Sequence, residues 1–124
     1  MDRIQRINSL IREIVNEIIS REMNDPRLEM VSISEAKTTR DIKYCKVYVS
    51  VLAPPAQEEE RAKHAMEAIN GARGFIKREL ATRMATRVVP ELTFIYDEAA
   101  RRGVAMSSLI NSVLDKPGDD SDDS

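Results

Sequence analysis

One cysteine and one histidine are all that the 124 residues offer toward thiol chemistry or a soft metal site. Cys45 has no partner for an intramolecular disulfide, and Cys45 with His64 falls short of a metal-ligand set. No apolar run approaches the roughly 20 residues that span a bilayer. The N-terminus, Met-Asp-Arg-Ile-Gln-Arg-Ile, places an acid ahead of an amphipathic pattern, which is unlike a secretory leader. These absences predict a cytoplasmic chain with no membrane partner. The carboxylates are scattered, no nucleophile has a base or an orienting partner, and no cofactor motif is present, so an enzyme such as a ribonuclease has no catalytic inventory here.

Charge of one sign is also scarce. The formal net charge is -2, which argues at first against a polyanionic partner. Its distribution reverses that argument. Residues 115–124 hold five Asp and one Lys, a net of -4, which leaves +2 on residues 1–114. Between Arg61 and Arg87, seven basic residues (Arg61, Lys63, Arg73, Lys77, Arg78, Arg83, Arg87) face two acids, Glu67 and Glu79. A local excess of this kind attracts phosphates, although it is far from a histone-like density.

What is abundant is aliphatic periodicity. Ile4, Ile7, Leu10, Ile11, Ile14, Val15, Ile18 and Ile19 recur at helical spacing and Met23 extends the row, predicting a helix over about 3–23. Asp2 with Gln5 forms a capping-box pattern at its start, and Asn24-Asp25-Pro26 stops it. Residues 30–34 alternate as a short strand, and 43–51 alternate as a second with Cys45, Val47 and Val49 on one face. Glu58-Glu59-Glu60 opens a helix with the buried stripe Ala62, Ala65, Met66 and Ile69. Glycines interrupt it at Asn70-Gly71-Ala72-Arg73-Gly74, and a further helix resumes at Phe75. Pro90 bounds a third strand, 92–96, and a last weak helix spans 104–114. The order is therefore α-β-β-α-kink-α-β with a short C-terminal helix. Its helices pack on one face of a three-stranded mixed sheet in one α+β domain (residues 1–114), ahead of an acidic tail (115–124) too polar for a core.

This topology is that of a type II KH domain. Met23-Asn24-Asp25-Pro26-Arg27-Leu28, Arg40 to Val49, Gly74-Phe75-Ile76, Val89 to Asp97, and Met106-Ser107 with Leu109 closely resemble ribosome-binding factor A, in colinear order over about residues 1–114. The resemblance implies a bacterial assembly factor that binds the free 30S subunit. Such a factor assists maturation of the 5′ end of 16S rRNA, supports growth in the cold and is released with help from a GTPase. It also implies an Ala-x-Gly kink, matched by Ala72-Arg73-Gly74. Because Gly71 is also present, the literal KH spacing Gly-x-x-Gly is satisfied as well.

Helix N-termini carry free amides that receive phosphate. The candidate RNA site is accordingly Gly71, Ala72, Arg73 and Gly74 with Lys77 and Arg78, the last two placed in the first turn of the helix that follows. The bland alternative is an inter-helix turn with solvated charges. Arg83, Arg87, Arg3 and Arg6 are further candidates for phosphate contact, set against an ordinary solvated face. Tyr44-Lys46-Tyr48, on the strand face opposite Val47, either stacks bases or packs as cross-strand aromatics. The tail either competes with RNA for the basic surface or aids solubility. A competing function is a KH-shaped protein-interaction module on the ribosome without RNA contact. A monomer is the default.

Overall fold

In the computed structural model, which describes residues 2–85 and 88–98, the first helix α1 (Arg3–Glu17) starts on its capping box. Gln5 N–H donates to Asp2 Oδ1 at 2.8 Å, and Asp2 N–H donates to Gln5 Oε1 at 3.3 Å. Its inward stripe, Ile11, Ile14 and Val15, continues through Ile18 and Ile19 in a π-helical turn, Ile18–Glu22. There the Met23 amide reaches back five residues to the Ile18 carbonyl, 3.2 Å. Asp25 then stops the chain direction by accepting from the Arg27 amide and guanidinium, opening a 3-10 turn over Pro26–Leu28. Those hydrogen bonds hold the Asp25 carboxyl at a pKa of about 2.

Strands β1 (Val31–Thr38) and β2 (Tyr44–Val51) form an antiparallel hairpin, and β3 (Glu91–Tyr96) lies parallel to β2, giving the order β1-β2-β3. The first strand is longer than its sequence pattern suggests. A register shift between Ile33 and Glu35 inserts an extra residue, so Ile33 and Ala36 both point inward and the alternation breaks at Ser34. The Ser34 hydroxyl donates to Asp97 Oδ2 at 2.6 Å, which ties the bulge to the end of β3.

β1 is an edge strand whose outer amides need partners. Helix α1 supplies them for Ile33 and Thr38. Ile33 N–H donates to Asn16 Oδ1 at 2.7 Å, Asn16 Nδ2 donates back to the Ile33 carbonyl at 3.2 Å, and Thr38 N–H donates to Asn8 Oδ1 at 2.8 Å.

Helix α2 (Pro55–Gly71) begins three residues before the expected acids, because Pro55 at N1 needs no amide partner and its fixed φ suits a first turn. Helix α3 (Arg73–Met84) follows after one residue. All three helices cover the same sheet face, where Ile33, Ala36, Cys45, Val47, Val49, Leu92 and Phe94 meet Ile11, Ile14, Val15, Ala65, Ile69, Ile76 and Leu80. The architecture is the expected α+β, type II KH-like one. Burial pushes the Cys45 thiol pKa up, as suits an inert core group. The expected helix over 104–114, the acidic tail 115–124 and Arg87 lie outside the described residues.

Truncating Asn16 to Ala leaves a half-buried amide and carbonyl of the edge strand unpartnered. The expected destabilisation is about 1–3 kcal/mol, read as a lower urea midpoint with unchanged slope. Because the Asp25 pKa is depressed, its contribution is present above the ordinary value of 3.8 and is lost as pH falls toward 2. Asp25→Asn should therefore flatten the pH dependence of the urea midpoint in that window.

Candidate nucleic-acid interface

The α2–α3 junction is a break one residue wide. Ala72, at φ -101° and ψ 13°, leaves helical geometry while serving both helices. Its amide donates to the carbonyls of Ala68 and Ile69, both at 3.1 Å, and its own carbonyl accepts the first α3 bond from Ile76 at 2.9 Å. Ala72 is half-buried against the core.

The break leaves the first turn of α3 open. No side chain caps it, and the first amides of a helix have no acceptor within their own helix. Gly71, Arg73, Gly74 and Arg78 are all exposed. Such a corner presents oriented N–H groups and the positive end of a helix dipole to solvent.

Neither glycine is demanded by the fold. Neither has a positive φ, a Cβ built on Gly71 meets nothing within 4 Å, and one on Gly74 comes no closer than 3.8 Å to the Arg78 side chain. The bare backbone at these two positions is therefore not required by internal packing.

The junction is a kink and not an open loop, and α3 starts two residues earlier than expected. Arg73 is therefore the first helical residue rather than part of a turn, and Lys77 and Arg78 occupy the second turn rather than the first. The cations also differ in availability. Lys77 Nζ lies 2.7 Å from Glu91 Oε1, at the start of β3, and the Lys77 hydrogen bond holds the Glu91 carboxyl below its ordinary pKa. Arg73 adds a weaker electrostatic pull on the same carboxylate. Arg73 and Arg78 form no ion pair among the described residues, so they are the open cations of the corner.

Arg83, a further candidate for phosphate contact, is engaged within the fold. Its guanidinium donates to Glu17 Oε1 at 3.3 Å, Glu22 Oε2 at 2.8 Å and Glu79 Oε1 at 3.3 Å, joining α3 to the end of α1. Three carboxylates satisfy it, and it stands two turns or more beyond the open corner. Arg3 and Arg6 are exposed but line a different feature, a groove of ≈510 Å³ whose walls include Ile7, Leu10, Ile42 and Met84.

The matched family model is that of ribosome-binding factor A, and it covers residues 3–110. The chain belongs to this family. A ribosome-binding factor A of Acetivibrio thermocellus is 42% identical over 112 residues, covering 90% of this chain and 88% of that protein. One of Carboxydothermus hydrogenoformans is 37% identical, covering 97% of this chain and 93% of its own length. Among solved structures, the crystal structure of ribosome-binding factor A from Thermus thermophilus matches with a TM-score of 0.65 at 22% identity, over 77% of this chain and 97% of that one. It supports the fold. A solution structure of a Thermotoga maritima family member matches with a TM-score of 0.61 at 31% identity, over 73% and 83%.

Sequence reasoning missed Glu91, because nothing in a linear reading places the first residue of β3 beside the second turn of α3. Two outcomes follow from this geometry. Gly71→Ala and Gly74→Ala should each stabilise the fold by about 0.5–1 kcal/mol, read as a raised urea midpoint. The Glu91 carboxyl, with its folded pKa depressed, contributes to stability above its ordinary value of 4.5, and that contribution is lost as acid protonates it. In a side-chain NMR titration, Lys77→Ala should return Glu91 to the ordinary carboxylate range.

Proposed function

We propose that the chain is an assembly factor of the small ribosomal subunit that binds 16S rRNA at the α2–α3 junction and performs no chemistry. The observation that carries this reading is the open first turn of α3. A helix start without a side-chain cap, two exposed glycines and the unpaired Arg73 and Arg78 converge on one corner. Phosphate oxygens would accept from the amides of that helix start while the two guanidinium groups neutralise the backbone charge. Interactions of this kind position RNA without reading base sequence.

Family membership supplies the target. Coordinates for the Thermus thermophilus ribosome binding factor A have been fitted into a cryo-EM map of a 30S complex. By that likeness the present chain acts on the free 30S subunit, favouring one local arrangement of immature rRNA over another as a population shift without turnover. Assistance to 16S 5′-end maturation, action as a monomer and release by a GTPase belong to the same proposal. Arg3 and Arg6 are candidates for a second phosphate contact, apart from the corner. Lys77 is available to RNA once its ion pair with Glu91 opens.

The test is charge reversal at the corner. Arg73→Glu with Arg78→Glu should weaken co-sedimentation with free small subunits at least tenfold. The slope of log affinity against log salt should also become shallower by roughly one for each phosphate that the variant no longer neutralises. Unchanged binding with an unchanged slope would remove the corner as the RNA site and favour a protein-interaction module. Glu91→Gln should act in the opposite sense and tighten binding, because it frees Lys77.

A further inference from the structure

We propose that the sheet face turned away from the helices is a second RNA-binding surface, taking a single-stranded segment across Tyr44, Lys46 and Tyr48. This rests on the RNA-binding reading above and extends it to a separate surface.

The central observation is an unfavourable pairing. Lys37 on β1 and Lys46 on β2 are direct partners in the antiparallel ladder. Like charges placed opposite each other destabilise a sheet. Neither ammonium has a carboxylate at ion-pair distance among the described residues. Two lysines paired near the hairpin turn, both exposed among the described residues, suit an anion supplied from outside.

The flanking residues identify that anion. Tyr44 is 60% exposed, and Tyr48 carries the Lys37 ammonium 5.5 Å from its ring centroid. Aromatic packing across strands does not account for them, since Tyr44 stands opposite Glu91 and Tyr48 opposite Glu35 and Ile95. Alternate strand residues on one face lie about 6.6 Å apart, so Tyr44 and Tyr48 flank Lys46 along β2. Ring, cation, ring is the arrangement by which sheet platforms hold a single strand, with bases stacked on the aromatics and phosphate on the lysine. A dry protein interface would instead bury two like charges without partners. Glu35 and Glu91 bound the strip at either end and leave its centre cationic.

The strip is continuous with the corner. Glu91 is both the partner of Lys77 and the residue opposite Tyr44. A strand leaving the α3 N-terminus therefore reaches the tyrosines by crossing the exposed end of β3.

The experiment compares three full-length chains: the natural one, Tyr44→Ser with Lys46→Ser, and Arg73→Glu with Arg78→Glu. The probe is a single-stranded oligouridylate of about twelve nucleotides, followed by fluorescence anisotropy at several salt concentrations. The sheet variant should bind at least tenfold more weakly, with a shallower salt slope. Its thermal midpoint should hold or rise, because the opposed lysines no longer repel. Tyrosine emission of the natural chain should be quenched as the oligonucleotide is added. A sheet variant that binds like the natural chain overturns the proposal, whatever the corner variant does, as does a natural chain that binds no oligouridylate. Weakened binding in the sheet variant alone upholds this surface and counts against the corner, whereas weakened binding in the corner variant alone upholds the corner and removes the sheet. Weakened binding in both supports one continuous path.

Discussion

The structure turns on covering one aliphatic sheet face with a helical segment longer than the sheet. Joined end to end, the 17 residues of α2 and the 12 of α3 would make a rod of about 43 Å. An eight-residue strand spans only about 26 Å. A straight rod would carry Ile76 and Leu80 past the sheet into water, so the chain breaks and folds the second part back over the strands. The break falls at Ala72, whose side chain is half-buried against the core. It has a necessary by-product, since ending one helix and starting another frees amides that a continuous rod would have consumed. The corner proposed to receive phosphate is thus a consequence of building the core.

Helix α1 closes the other flank by a different chemistry. Its aliphatic stripe covers the sheet, while Asn8 and Asn16 supply hydrogen-bond partners to the outer edge of β1. Arg83 then joins α3 to α1 through three glutamates. The same residue type serves two ends of one helix in different ways. Where carboxylates converge, arginine is a structural clamp. At the N-terminal end, Arg73 and Arg78 have no such partners and remain available to an outside anion.

Most of the architecture was legible in the sequence, because its elements have strong local signals. The capping box of Asp2 and Gln5, the aliphatic row of α1, the alternation of β2 and the interruption at Gly71 to Gly74 are all encoded within a few residues. The extent of β1 was not, since the bulge at Ser34 shifts the phase and looks like the end of a strand. The site was legible to the same degree. The corner follows from local pattern, but which cations stay free depends on Glu17, Glu22 and Glu91, residues brought in by tertiary packing. Nothing in the sequence places Glu17 and Glu22 beside Arg83 while leaving Arg78 without an acid among the described residues.

The π turn that ends α1 has an implication for chain length. In a regular α-helix, residues five apart point about 140° away from one another. The widened turn brings Glu17 and Glu22 round together, so both reach Arg83. A π turn is an α turn that has absorbed one additional residue. Deletion of a single codon between Ile18 and Glu22 would restore an ordinary turn and leave the strands in register. This is one place in the domain where a change of one residue in length falls on a clamp rather than on the strands, in contrast to the bulge at Ser34, which lies within a strand.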